Sequence, residues 1–235
     1  MGKKKYVAYV GTYTHGTSKG IQVYDVDVEN GTLTERSEVE VSNASHLAVS
    51  KNGKYLYSIE DEGVAVFERD ENGDLSRINS VDINGMRGCY LATDVDGRYL
   101  YVAGYHDGKV TVVHTHKDGR LGSVMDGVFH KGLGSVAERN FRPHVNCVRP
   151  TPDNKYLCAV DNGIDQVKIY RINKKKSIWC LERIQKMKNL FNLRYTGNVT
   201  GVDPRKASAE FLPFLTEIIH LIGKIITVVA GVFCL

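Results

Sequence analysis

SKNGKYLY at residues 50–57 recurs as DVDGRYLY at residues 94–101 and as TPDNKYLC at residues 151–158. A weaker copy, KKYVAY, lies at residues 4–9. The turn residues of the three full copies stand at positions 53, 97 and 154, which are 44 and 57 residues apart. Units of this length that read as strands and tight turns are typical of the blades of a β-propeller. The repeat therefore predicts an all-β fold in which equivalent positions converge on a central channel.

Each unit is predicted to contain four short strands joined by turns. In the second full copy, Tyr90–Thr93 and Tyr99–Ala103 are rich in the aromatic and β-branched residues that favour a pleated sheet. A third strand is expected at Lys109–His114, and a fourth can begin at Leu121. About three and a half such units fit into residues 1–172, so the pattern predicts part of a propeller.

Charge is divided unevenly along the chain. The first 170 residues contain 20 Lys and Arg and 23 Asp and Glu, whereas residues 171–235 contain 11 and 4. The formal net charge of +4 therefore does not describe the repeated part, and it gives no indication of nucleic-acid binding.

The cysteines and the N-terminus favour a cytoplasmic location. The five cysteines are odd in number and include no Cys-x-x-Cys pair, which argues against a disulfide framework and a structural zinc site. The lysines at positions 3–5 lead directly into a strand pattern, without the apolar core of a secretory signal. We expect reduced cysteines in a cytoplasmic protein.

Residues 173–235 differ in character from the repeats. Apolar residues recur at roughly helical spacing over Ser177–Leu193, which favours a helix. Phe211–Leu235 is apolar, but Glu217, His220 and Lys224 interrupt it, and its longest uninterrupted run is too short to span a bilayer. We expect this tail to lie outside the propeller, as would follow from a frameshift or a truncated reading frame. A buried or membrane-surface helix is the alternative.

Equivalent polar residues precede the innermost predicted strand of each unit. Ten positions before the turn residues stand Asn43, Arg87 and His144. In a propeller these positions meet at one mouth of the channel, where they can contact a ligand. The alternative is that they are turn and cap residues at strand ends. Asp161, seven positions after the third turn residue, ends the second strand of its unit.

Arg142-Pro143-His144 is the motif best suited to catalysis. Proline stiffens the approach to His144, and histidine can accept a proton from water near neutral pH and return it to a leaving group. The Arg142 guanidinium can hold a phosphate or a developing oxyanion. By contrast, His114 and His116 lie on an outward strand, where solvated side chains are a better interpretation than a metal pair.

These motifs resemble the lactonase family of seven-bladed β-propellers. The resemblance rests on YVGTYT at residues 9–14, on the repeated Tyr-Leu-Tyr strands, and on Arg142-Pro143-His144 followed by DNGIDQVKIY at residues 161–170. The best-known activity of this family is that of a 6-phosphogluconolactonase, which hydrolyses 6-phosphoglucono-1,5-lactone in the pentose phosphate pathway of carbohydrate metabolism. The resemblance implies a sugar lactone as the small-molecule ligand and no metal or organic cofactor.

The resemblance and the repeat together predict a six-residue site. It has His144 and Arg142 as catalytic groups and Arg87, Asn43, Asn146 and Asp161 as substrate-binding groups. Arg87 is the implied phosphate partner. Asn146 departs from the family pattern, because many members have a second histidine at this position.

Length is the larger departure from the family. The repeated part is nearly half of a full-length member, and an open arc of blades would leave an unpaired sheet edge and an apolar face exposed. We therefore expect impaired hydrolysis and self-association through the open edge. A non-catalytic propeller that binds a ligand or a partner is the alternative, since a fold does not determine a function.

Overall fold

Four four-stranded antiparallel sheets make up the part of the chain that the structure describes. The structure is a computed structural model, and it describes residues 6–134, 141–172, 181–188 and 230–234, the last two ranges for their backbone alone. The strands are β1 (Tyr6–Gly11), β2 (Gly20–Asp27), β3 (Thr32–Glu40), β4 (Leu47–Val49), β5 (Tyr55–Glu60), β6 (Gly63–Arg69), β7 (Leu75–Asp82), β8 (Tyr90–Thr93), β9 (Tyr99–Ala103), β10 (Lys109–Thr115), β11 (Leu121–Phe129), β12 (Val145–Pro150), β13 (Tyr156–Asp161), β14 (Gln166–Ile172), β15 (Leu181–Lys188) and β16 (Ala230–Cys234).

The sheets follow one another along the chain as blades do. The second, third and fourth sheets have the orders β4-β5-β6-β7, β8-β9-β10-β11 and β12-β13-β14-β15. Their first strands, β4, β8 and β12, contact one another in succession and form the inner side of the arc. The first sheet has the order β16-β1-β2-β3, so β16 takes the inner place beside β1. These findings confirm an all-β partial propeller, with four complete sheets where the repeat predicted about three and a half units.

The turns that define the repeat have one backbone geometry. Gly53, Gly97 and Asn154 have φ angles of 73°, 66° and 57°, in the left-handed region that glycine and asparagine tolerate best. Each turn is closed by the side chain three positions before its turn residue, which accepts the N–H of the first residue of the next strand. The bonds are Tyr55 N to Ser50 Oγ (2.9 Å), Tyr99 N to Asp94 Oδ1 (3.1 Å) and Tyr156 N to Thr151 Oγ1 (3.0 Å).

Gly97 gives a clean test of this geometry, because a Cβ there would meet no atom within 4 Å. Gly97→Ala should lower the free energy of unfolding by about 1 kcal/mol through backbone strain alone. Gly97→Asn should cost clearly less, since Asn154 occupies the equivalent turn. Urea unfolding of both variants measures the difference, and equal losses would show that the φ angle is not the cause.

Apolar clusters join each sheet to the next. Tyr9 and Phe67 belong to the cluster between the first and second sheets. Val66 and Leu100 belong to the next cluster, and a third one joins the third and fourth sheets. Val167, on the face of the fourth sheet that is turned away from the third, is only 5% exposed, and the exposed face of the open arc stays a prediction. Self-association remains a prediction.

A β-bulge occurs at the same place in the outer strand of all four sheets. One extra residue stands opposite the third strand, namely Arg36, Ile78, Met125 and Ile184 in the four sheets. This bulge explains why the sequence favoured a helix over Ser177–Leu193, of which Leu181–Lys188 is instead strand β15. The extra residue breaks the two-residue alternation and leaves apolar residues three positions apart, at 181, 184 and 187.

The remaining predictions for the tail lie largely outside the described residues. Of residues 173–235, the structure describes only β15 and β16, and the boundary at residue 172 remains a prediction. Among the described residues there is no helix with the length and hydropathy needed to cross a membrane.

Candidate active site

The predicted site residues lie at one end of the sheets. Asn43, Arg87 and His144 stand in the loops that precede β4, β8 and β12. The loops that join the second and third strands of each sheet reach the same end, and they carry Asp61 and Tyr105. We call this end the mouth. Its geometry divides the predicted residues into two groups.

The first group is centred on Asp61. Its Oδ1 accepts hydrogen bonds from Asn43 Nδ2 at 2.8 Å and from a terminal guanidinium nitrogen of Arg87 at 3.0 Å. The hydrogen bond from Asn43 is the main cause that holds the Asp61 pKa below its usual value, and Arg87 adds to it. Asn43 also accepts the N–H of Thr14 at 2.9 Å, so both ends of its amide are used to join loops. This geometry supports the alternative that Asn43 is a turn and cap residue at a strand end.

Arg87 can bind a ligand in addition to forming its ion pair with Asp61. The guanidinium lies over the ring of Tyr13, with 5.2 Å from Cζ to the ring centroid, and about a quarter of the side chain is exposed. Asp61 uses one terminal nitrogen, and no other described residue uses the remaining N–H groups. Arg87 is therefore oriented and accessible, as a group that binds an anion must be.

The second group is centred on His144. Its Nδ1 lies 2.8 Å from the carbonyl oxygen of Tyr105, and its ring stacks on the Tyr105 ring at 4.4 Å between centroids. Because a carbonyl oxygen can only accept, Nδ1 must carry the proton in the neutral imidazole. Nε2 then has a free lone pair, and no described residue donates a hydrogen bond to it. The side chain is thus held in the tautomer that can act as a base.

A buried network supports His144 from behind. Asp161 is fully buried, and its Oδ1 accepts the backbone N–H groups of His144 at 2.8 Å and Gly163 at 3.0 Å. Its Oδ2 accepts Nδ1–H of His130 at 2.7 Å, while His130 Nε2 lies 2.9 Å from the Tyr170 hydroxyl. Burial is the main cause that lowers the His130 pKa, which favours the neutral imidazole. Asp161 therefore positions His144 and has no free oxygen for the substrate contact that the sequence suggested.

The other two predicted residues are not part of either network. Arg142 is exposed, and its guanidinium forms no hydrogen bond or ion pair with the described residues. Asn146, in β12, has a buried Oδ1 without a hydrogen-bond partner. Both keep polar groups that a ligand could engage.

Asp61 and Tyr105 were missed by the sequence analysis, although the repeat contains a signal for them. Both stand eight positions after their turn residue, and each contacts the mouth loop of the following sheet. Asn162 is the third equivalent residue, and its Oδ1 is buried without a partner. The second and third sheets thus each hold the mouth residue of the sheet that follows them.

A further set of equivalent residues lines the start of the inner strands, seven positions before each turn residue. The His46 ring lies 4.3 Å from the Tyr90 ring, and its Nδ1 accepts the N–H of Leu91 at 3.2 Å. The Tyr90 side chain lies beside the Cys147 thiol. Burial lowers the pKa of His46 to about 4 and raises the pKa of Cys147 to about 11. Both groups are therefore uncharged at neutral pH, and the Cys147 thiol is a poor nucleophile.

Within residues 6–134 and 141–172, no three His, Cys, Asp or Glu side chains are grouped closely enough to hold a metal ion. The chemistry that the mouth offers comes from an imidazole base and guanidinium groups. Such a combination suits the attack of water on a carbonyl group in an anionic substrate.

Comparison with known proteins places this geometry in context. Residues 7–189, a range that includes β15, match the family described as "Lactonase, 7-bladed beta-propeller". The 6-phosphogluconolactonase of Bacillus subtilis strain 168 is 37% identical over 174 residues, which are 72% of this chain and 50% of that protein. The chain thus spans about half the length of the curated relatives that it matches.

Solved structures agree with the sequence match. The periplasmic gluconolactonase PpgL of Pseudomonas aeruginosa is 30% identical with a TM-score of 0.71, covering 76% of this chain and 53% of that one. A Lactobacillus plantarum protein is also 30% identical, with a TM-score of 0.69 and coverage of 79% and 53%.

Proposed function

Because the chain belongs to the lactonase family of seven-bladed β-propellers, we propose that it hydrolyses a sugar lactone, with 6-phosphoglucono-1,5-lactone as the substrate. The observation that carries this proposal is the tautomer of His144, whose Nδ1–H is held by the Tyr105 carbonyl and whose Nε2 is free. A relative named 6-phosphogluconolactonase supports the choice of substrate.

In the proposed reaction, His144 Nε2 takes a proton from water as the water oxygen attacks the lactone carbonyl carbon. The tetrahedral intermediate carries its negative charge on the former carbonyl oxygen, which the Arg142 guanidinium can stabilise. Collapse breaks the bond to the ring oxygen, and the protonated His144 returns its proton to that oxygen. The product is the open-chain acid, so one water is consumed and His144 is regenerated.

Arg87 is proposed to hold the phosphate group. The product acids give a test that does not depend on turnover: Arg87→Gln should weaken the binding of 6-phosphogluconate about tenfold or more, because charge-assisted hydrogen bonds are lost. The binding of gluconate, which has no phosphate, should change little. Calorimetric titration measures both, with Arg120→Gln in a distant exposed turn as the control. An equal loss for both acids would contradict a phosphate role.

The activity itself is tested by proton release from freshly prepared 6-phosphoglucono-1,5-lactone. A rate above spontaneous hydrolysis that rises in proportion to protein concentration supports the proposal, and glucono-1,5-lactone as a second substrate measures the preference for phosphate. We expect a low rate, because the four described sheets supply only part of the channel lining of a seven-bladed propeller. A chain that binds 6-phosphogluconate without raising the rate would instead be a binding module.

The cytoplasm is the proposed location.

A further inference from the structure

A cavity of about 720 Å³ lies between the second and third sheets, at the end opposite the mouth. Its walls include Tyr55 and Tyr57 of β5 and Thr115 at the end of β10, and its rim includes the turns that follow β4 and β8. This volume is within the range of small-molecule sites in proteins. The cavity shares none of its lining residues with the mouth.

The cavity exists because a space-filling arginine is replaced by threonine. Between the first and second sheets, Arg69 fills the equivalent space: its Nε donates to the Tyr9 hydroxyl at 3.1 Å, and its guanidinium also bonds the Gly53 carbonyl. Thr115 is the equivalent residue of the third sheet, and its short side chain donates only to the Gly97 carbonyl at 2.8 Å. The repeat thus contains a filled and an unfilled version of the same space.

A second replacement holds the nearby turn open. In the first gap, the Tyr9 hydroxyl also donates to the Gly73 carbonyl at 2.5 Å. Gly119 is the equivalent of Gly73, and it packs against the ring of Tyr55 so closely that a Cβ would overlap the ring. The first sheet has the smaller Val7 at the position of Tyr55. The turn of Gly119 is therefore held away from Tyr57, whereas the turn of Gly73 reaches Tyr9.

Tyr57 is consequently left without a partner. It is the equivalent of Tyr9 and is only 2% exposed, yet its hydroxyl makes no hydrogen bond to a described residue. Burial raises the pKa of Tyr57 to about 12, so the hydroxyl is a neutral donor. Tyr57 lines the cavity, so water or a ligand in the cavity is what can satisfy this hydroxyl.

The positive charge at the rim of the cavity comes from lysines, because burial lowers the pKa of His114. His114 and His116 take the places that Glu68 and Asp70 occupy in the second sheet. Lys51 and Lys117 stand on the two sides of the rim, and neither forms an ion pair with a described residue.

The one acidic group in the lining is already neutralised. Asp96 pairs with Arg98 at 2.8 Å. An anion at the rim would therefore meet an excess of positive charge above walls made by two tyrosine rings.

We propose that this cavity is a second ligand site that binds a small aromatic carboxylate. Its carboxylate lies between Lys51 and Lys117, its ring packs against the tyrosine walls, and a polar substituent on the ring accepts a hydrogen bond from the Tyr57 hydroxyl. The site is independent of lactone hydrolysis, because it lies at the other end of the sheets from His144.

The test uses 4-hydroxybenzoate as the probe and 4-hydroxybenzyl alcohol as its neutral counterpart, with binding followed by ligand-observed NMR and calorimetry. The full chain should bind the acid with a dissociation constant below about 10 mM and bind the alcohol at least fivefold more weakly. Thr115→Arg, which refills the cavity as Arg69 fills the first gap, should abolish binding while urea unfolding remains cooperative. Lys54→Ala, in the turn that follows β4 but outside the lining, is the control that should leave binding unchanged.

Two further variants keep the proposal falsifiable if Thr115→Arg fails to fold. Tyr57→Phe removes one hydroxyl and should weaken the binding of 4-hydroxybenzoate about fivefold, the loss typical of one hydrogen bond. Lys51→Ala combined with Lys117→Ala should weaken the binding of 4-hydroxybenzoate but not that of 4-hydroxybenzyl alcohol. Equal binding of acid and alcohol, unchanged binding by folded Thr115→Arg, or no binding by the unaltered chain would each overturn the proposal.

Discussion

Replacing His144 with alanine is expected to lower the rate of lactone hydrolysis at least a hundredfold, the usual effect of removing a positioned general base. The stacked Tyr105 ring and the Tyr105 carbonyl hold the imidazole in one tautomer, so Nε2 carries the lone pair that accepts the proton. Proton release from 6-phosphoglucono-1,5-lactone, corrected for spontaneous hydrolysis, measures the loss.

Chemical rescue distinguishes a base from a structural residue. Added imidazole should restore part of the activity of His144→Ala in proportion to its concentration, because it can enter the space left by the side chain. His116→Ala, an exposed histidine at the opposite end, should leave the rate unchanged and serves as the control. Activity that survives in His144→Ala at the level of this control would remove His144 from the reaction.

Acid is expected to destabilise the fold through His46. Burial lowers its folded-state pKa to about 4, whereas the unfolded chain has the ordinary value of 6.5. Above pH 6.5 both states are neutral and the stability is complete. As the pH falls from 6.5 to 4, the unfolded chain gains a proton that the folded chain excludes. The free energy of unfolding should therefore fall by about 3 kcal/mol over this range.

Geometry gives the reason that the folded state excludes the proton. His46 Nδ1 accepts the N–H of Leu91 at 3.2 Å, and a protonated nitrogen would lose this bond and face the amide hydrogen. His46→Asn offers an acceptor that does not titrate, so this variant should lose less stability on acidification. Urea unfolding at pH 7, 5.5 and 4 compares the two proteins. Parallel pH curves would assign the acid sensitivity to other groups, of which His130 is the next candidate because burial lowers its pKa too.

The repeat predicted the fold well where local rules decide it. The left-handed turns at Gly53, Gly97 and Asn154 follow from residue type and position, and so do the strands on either side. The helix expected over Ser177–Leu193 was wrong for Leu181–Lys188 because a bulge at Ile184 obscured the strand period. A pattern that depends on a strict two-residue alternation cannot recognise an inserted residue.

The site was less accessible to sequence reasoning because its contacts cross from one sheet to the next. Counting back from the turn residues located Arg87 and His144, which the structure places in neighbouring mouth loops. Their partners Asp61 and Tyr105 are different residue types at one repeat position, so they looked like ordinary turn residues. Asp161 looked like a ligand-binding carboxylate, and only its burial against His130 identifies it as a support.

The contacts by which the second and third sheets hold the mouth residues of their successors limit how such a chain can change by duplication. The sheets have the same backbone plan, but Asp61 suits an arginine in the next loop, whereas Tyr105 suits a histidine. Exchanging or deleting one sheet would preserve the architecture and separate these pairs. The unit that must be inherited intact is therefore the junction between two sheets.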